Sequence, residues 1–257
     1  APKAAYTMKN RTVKRLLFAD TVDMGGMPVR QPFPTQQVDQ IDPFLLLHHH
    51  VSRMPEGVVP HKTGVGPHPH RGFSPVTFVY KGGVHHRDSR GNNSVVYEGG
   101  TQWMNAGRGI VHSERPPKDI MDHGGVQEII QLWVNTPAAH KMDQPQYIPL
   151  QAEETPKVEE GGVTIQVVAG DFKSLRGPVP TVSPVLALRL ELEAGATYAF
   201  PVPPEYNLFL YLLDGQAQVT GFGMVEGLHL VVFNQDGEGI TFTAKEKTRA
   251  LLMAGKP

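Results

Sequence analysis

At 257 residues, with 40% hydrophobic and 19% charged, the chain is long enough for one large β domain or two ordinary ones and too apolar for disorder. Its Lys+Arg 24 against Asp+Glu 25 leave a net charge of −1, which excludes a basic field for nucleic acid or anionic lipid, and no apolar run reaches the roughly 18 residues of a membrane span. Cysteine is absent, which excludes disulfides, thiolate metal sites and cysteine nucleophiles and leaves His, Asp and Glu as metal ligands.

The start, Ala1-Pro2-Lys3-Ala4-Ala5-Tyr6, has no apolar core of the signal-peptide kind and no initiator Met, so removal of an upstream piece is one expectation. Gly 27 and Pro 23 recur between short apolar runs, a pattern of many strands joined by tight turns. His48-His49-His50 comes next. If the run is a strand, its odd and even members face opposite sides, so at most two can share a metal. We read it as a polar strand end or loop near the mouth of a site.

Gly66-Pro67-His68-Pro69-His70-Arg71-Gly72 carries the chemistry. Residues two apart in a strand share a face, so His68 and His70 converge while Pro69 points away and stiffens the backbone. The missing N–H of Pro69 is tolerable at a sheet edge or bulge. Val76–Tyr80 is an apolar strand ending at the Gly82-Gly83 turn, and His85 and His86 follow it. For that pair a structural role outweighs a chemical one, with Asp88 a possible partner. Trp103 and Met104 read as core. After the turn Asn105-Ala106-Gly107-Arg108-Gly109, His112-Ser113-Glu114 repeats the two-apart spacing. Two hairpin-linked strands would then offer three imidazoles and one carboxylate, leaving roughly two positions of an octahedral ion open.

Further strands are expected at Ile129–Val134, Val163–Val168, Leu186–Leu192 and Leu208–Leu213, with Arg189 and Glu191 on a wet face of the third. The polar stretch Gln151–Gly162 marks a boundary, so we divide the chain into 1–150, binding a metal, and 151–257, binding none. The halves look duplicated. Phe78-Val79-Tyr80 matches Phe209-Leu210-Tyr211, and Gly107-Arg108-Gly109-Ile110 matches Gly237-Glu238-Gly239-Ile240. On these offsets His68 and His70 fall on Ala199 and Pro201, and His112 and Glu114 on Phe242 and Ala244. All four replacements are unable to coordinate. One isolated pair of histidines would be weak evidence; two pairs, both erased in the duplicate, favour a metal site.

These same segments, together with Asp42-Pro43-Phe44-Leu45-Leu46, His86-Arg87-Asp88-Ser89, Gln131-Leu132-Trp133-Val134-Asn135 and Phe200-Pro201-Val202-Pro203-Pro204, resemble the pirin family of the cupin superfamily from about Arg11 to the end. The resemblance implies an all-β bicupin of two β-barrels packed face to face, with one transition-metal ion in the N-terminal barrel only. Its ligands by motif are His68, His70, His112 and Glu114. Fe(II) is the first expectation, and Mn, Ni, Co, Cu or Zn fit the same ligand set. Bacterial members resemble quercetin 2,3-dioxygenases, which open a flavonol ring with O₂ and release carbon monoxide. The implied partners are a flavonol or another enolisable compound and O₂, with Glu114 as catalytic base. A cytoplasmic monomer, without nucleic acid or membrane contact, is expected. Animal relatives imply the alternative, an iron-dependent redox sensor that binds a protein partner. Two departures stand out. His48-His49-His50-Val51 replaces an acidic-then-aromatic stretch, and family members continue beyond the point matching Gly255-Lys256-Pro257, which implies truncation or an unusual tail.

Overall fold

The computed structural model describes residues 7–57 and 64–257; the six residues read for a leader, and His61, lie outside them. Two compact units form, one of Asp20–Thr155 and one of Pro156–Pro257 joined by the segment ending at Ala19. The break at Thr155 falls within the polar stretch. A cut at residue 150 differs from this division at the N-terminus, because β1 (Val13–Phe18) pairs with Phe233 to His229 of the second unit. Only Leu17 of that strand is buried, so its own sequence gives no sign of where it docks.

The first unit contains β2 (Asp20–Met24), β3 (Met27–Phe33), β4 (Phe44–Met54), β5 (Val65–His70), β6 (Phe73–Lys81), β7 (Gly83–Asp88), β8 (Asn93–Tyr97), β9 (Thr101–Asn105), β10 (Ile110–Arg115), the short helix α1 (Lys118–His123), β11 (Gly125–Asn135) and β12 (Gln146–Leu150). Among the described residues these strands build a seven-stranded sheet, β12-β9-β6-β11-β4-β3-β2, and a four-stranded sheet, β5-β10-β7-β8.

The second unit contains β13 (Lys157–Glu160), β14 (Val163–Ala169), β15 (Asp171–Phe172), β16 (Leu175–Arg176), β17 (Val185–Leu192), β18 (Thr197–Pro201), β19 (Asn207–Leu212), β20 (Gln216–Val219), β21 (Gly223–Glu226), β22 (His229–Phe233), β23 (Gly239–Ala244) and β24 (Thr248–Gly255). Its two larger sheets, β1-β22-β19-β24-β17-β14-β13 and β18-β23-β20-β21, repeat the seven-plus-four pattern, and β15 and β16 form a two-stranded ribbon. Each unit is a two-sheet β-barrel, as the duplication predicts. Among the described residues no helix is long and apolar enough to cross a membrane.

The expected apolar strands are β6, β11, β14, β17 and β19. On β17 the wet face is narrower than its alternation suggests: Glu191 is exposed but Arg189 is buried. Alternation gives the two faces of a strand; what covers each face is set by the rest of the fold.

The registers correct the residue equivalence between halves. His112 pairs with His68 on β5, and Phe242 pairs with Tyr198 on β18. His68 and His70 therefore match the inward Tyr198 and Phe200, not the exposed Ala199 and Pro201. The offset is 130 residues on β5 and β10 but 131 on β7 and in the larger sheet, where Thr77↔Gln102 matches Leu208↔Phe233. A one-residue slip moves a side chain to the opposite face, so the difference changes which residues fill the interior.

Candidate metal centre

The sequence dictates the site from two strands. β5 and β10 are antiparallel neighbours with His70 opposite Ile110 and His68 opposite His112. They are not a hairpin, as first read: β10 lies between β5 and β7, and four strands intervene in the chain. β5 is the edge of the smaller sheet, so the missing N–H of Pro69 breaks no ladder on its open side.

The imidazoles of His68, His70 and His112 meet with ring centroids 4.3–4.7 Å apart. His68 Nδ1 lies 2.7 Å from the carbonyl oxygen of Gly66; a carbonyl only accepts, so Nδ1 carries the proton and Nε2 keeps its lone pair. His70 Nε2 and His112 Nε2 are buried without a hydrogen-bond partner. Burial first, and the neighbouring His68 second, hold His70 down to about 4; burial and the surrounding imidazoles hold His112 down to about 2. Both rings are therefore neutral at pH 7, with lone pairs available. Leaving two such atoms unpartnered costs about 1–3 kcal/mol each, a cost that a bound ion removes. The donor set fits a first-row transition metal.

Glu114 follows on β10, where a register shift between His112 and Glu114 re-aims the strand. Its Oε1 accepts from Gln102 Nε2 at 2.9 Å and Thr77 Oγ1 at 3.4 Å, and its Oε2 accepts from Gln131 Nε2 at 3.2 Å. Burial raises this carboxyl to about 7, against the pull of those three donors. Oε1 stands 3.7 Å from His112 Nδ1. Two groups of side chains can hold an ion among the described residues. One is His68, His70 and His112; the other is His86, His112 and Glu114. His112 belongs to both, while Glu114 does not share a group with His68 and His70.

Several polar residues of the interior were not singled out in the sequence. Thr77, Gln102 and Gln131 sit on β6, β9 and β11, and their inward position was the available signal. His86 and Asp88, read as structural, are buried and joined by a 2.7 Å bond between Nε2 and Oδ2. His86 has the same two-apart spacing to Asp88 that flagged the ligand pairs.

The triple histidine alternates as expected but is neither a strand end nor a loop. It lies inside the 11-residue β4, paired with β11 on one side and β3 on the other. His49 Nε2 bonds the buried Glu128 carboxylate at 2.8 Å. His48 bonds Gln31 Oε1 at 2.6 Å, and burial holds it down to about 4. With His50, Val84, Ile129 and Gln131, His48 lines a cavity of about 80 Å³ that ends on Glu114. Position mid-strand was hidden because three histidines break the apolar pattern by which strands are read. Trp103 and Met104 are core, as expected.

Comparison with known proteins places this geometry. The family model described as Pirin matches residues 26–134, and that described as Pirin C-terminal cupin domain matches residues 187–257. The chain is 34% identical to Pirin-like protein 2 of Arabidopsis thaliana, over 96% of this chain and 76% of that one. A crystal structure of quercetin 2,3-dioxygenase from Acinetobacter baumannii superposes with a TM-score of 0.89 at 31% identity, covering 98% of this chain and 88% of that chain. A bacterial pirin of Escherichia coli, solved in complex with nickel(II), shares the fold with a TM-score of 0.75 at 20% identity, over 95% and 99% of the two chains.

Proposed function

The chain belongs to the pirin family, and from that premise we propose that it is a metal-dependent dioxygenase that opens the ring of a flavonol or related enolisable compound with O₂. In this reading His68, His70, His112 and Glu114 hold the ion, Fe(II) first among the first-row metals, and Glu114 is the base. The observation that carries it is the pair of buried, partnerless Nε2 atoms of His70 and His112 against His68, beside a buried carboxylate. Likeness to the Acinetobacter quercetin 2,3-dioxygenase supports the reaction class, and the nickel-bound Escherichia coli pirin supports a metal.

When bound, the ion supplies Lewis acidity toward a substrate oxygen and a route for electrons to O₂. The chain's own residues do the rest. Glu114 Oε accepts the proton of the enolic hydroxyl. Gln102, Thr77 and Gln131 fix the carboxylate so that little reorganisation is needed. Val84 and Ile129 line the approach and limit water.

The test is anaerobic loading of metal-free protein with Fe(II), Mn, Ni, Co or Cu, followed by quercetin and O₂. Carbon monoxide and loss of the flavonol absorbance are expected with at least one ion; no turnover with any of them rejects the flavonol. One observation favours a smaller substrate. The cavity at Glu114, about 80 Å³, is well below the roughly 300–1,000 Å³ of pockets for drug-sized ligands. Uptake of O₂ with a single-ring hydroxypyranone but not with quercetin selects that reading.

A further inference from the structure

The proposed ligand set leaves a buried acid and a buried imidazole unexplained. His86 and Asp88 lie two apart on β7, next to β10, with His86 opposite Glu114 and Asp88 opposite His112. His86 is 0% exposed, and the side chains of the hydrogen-bonded His86 and Asp88 are both 0% exposed. The Tyr147 ring stacks on His86 at 3.9 Å between centroids and 6° between planes, which fixes the imidazole plane. Tyr147 is held in turn by hydrogen bonds with Ser94 Oγ at 2.7 Å and to Gln102 Oε1 at 3.2 Å.

Proton bookkeeping along this row has one solution for neutral rings. The Asp88 carboxylate only accepts, so His86 Nε2, at 2.7 Å, carries a proton. Neutral His86 then has a bare Nδ1, which can only accept. The group facing it at 3.4 Å is His112 Nδ1, so that nitrogen carries the proton. The other neighbour of His112 Nδ1, Glu114 Oε1, is an acceptor when ionised, in agreement. His112 is thereby left with its lone pair on Nε2, the nitrogen that has no other partner.

We propose that Asp88 and His86 are positioning residues, a two-step hydrogen-bond relay that fixes the tautomer of His112 and presents its Nε2 lone pair to the metal. The inference rests on His112 being a ligand. The second barrel supplies an independent observation. By register, His86 matches Ala217 and Asp88 matches Val219, where the position of His112 is Phe242. The relay vanishes together with the imidazole it would serve. The two-sheet barrel itself therefore does not require the His86–Asp88 pair.

The variant is Asp88→Asn. Its Oδ1 still accepts the Arg90 and Asn92 backbone N–H groups that Asp88 Oδ1 holds at 2.8 and 3.1 Å, so the backbone turn is retained, although the 2.8 Å bond from Asn92 Nδ2 to Asp88 Oδ2 is lost. An amide can also donate to His86 Nε2, which removes the constraint on both tautomers. Nitrogen-15 spectra of the metal-free protein should show His112 as a single tautomer protonated at Nδ1, and as a mixture in Asp88→Asn. Nickel(II) affinity, measured by competition with a chelator, should fall about 10–100-fold. Pulsed EPR of copper(II)-loaded protein should count three imidazoles in both the parent and His86→Gln. An unchanged tautomer with unchanged nickel affinity overturns the proposal, even if Asp88→Asn melts earlier, because a merely structural pair would give that result. A count that drops by one in His86→Gln also overturns it, by making His86 a ligand. If the parent binds no nickel, the ligand reading fails instead, and the metal-free tautomer comparison decides the relay by itself.

Discussion

The smaller sheet of the first barrel turns His68, His70, His112, Glu114, His86 and Asp88 toward one another, and the same registers of the second barrel hold Tyr198, Phe200, Phe242, Ala244, Ala217 and Val219. From the larger sheets, Thr77 and Gln102 are answered by Leu208 and Phe233. Phe200 and Phe242 stack at 5.3 Å in the middle of a continuous apolar core. One backbone plan thus supports two kinds of interior. The apolar one gains dispersion and burial wherever shapes fit. The polar one must find partners for its donors and acceptors, and around the site the buried nitrogens without a hydrogen-bond partner are His70 Nε2 and His112 Nε2. The two interiors divide by composition: one is filled by apolar packing, and the other by polar side chains that packing alone would not hold.

The comparison breaks most completely if both barrels bind metal. Elemental analysis of the parent protein should give one ion per chain, and His68→Ala combined with His70→Ala should give none. Two ions, or full retention in the double variant, would overturn the contrast. Next in size is Glu114→Gln, which should lower turnover by about 10²–10⁴-fold when saturated with metal, measured as O₂ uptake. A variant as active as the parent would remove the base from Glu114.

The second barrel offers the reciprocal test. Phe242→Ala should destabilise the protein by about 3–5 kcal/mol in chemical denaturation and leave the metal content unchanged. Loss of metal without loss of stability would contradict a structural role. The smallest effect concerns pH. His48, His70 and His112 are held neutral by burial, at about 4, about 4 and about 2, so they stabilise the metal-free fold above their unfolded value of about 6.5, and that stability is lost as pH falls through the folded values. Glu114, raised to about 7, acts oppositely: its contribution is full below about 4.3 and is lost as pH rises through 7. Metal-free protein should therefore weaken between pH 6.5 and 4, and Glu114→Gln should weaken more steeply over that interval. A flat profile would mean that the imidazoles are not held neutral.

The sequence by itself determined the all-β character, the duplicated architecture and the convergence of His68 with His70, because strand periodicity is a local property of two-residue spacing. It also made visible that the second half lacks coordinating side chains, although the matching residues were one position off. The tertiary structure decided what depends on register between distant strands. It put His112 opposite His68, brought Gln102 and Gln131 onto Glu114, set His86 against His112, and assigned β1 to the second barrel. It also moved the triple histidine from a supposed strand end or loop into the interior of β4. Those contacts join residues 12 or more positions apart, and one residue of slip would turn each side chain to the other face. Local pattern shows which side chains share a face; only the closed barrel shows what that face meets.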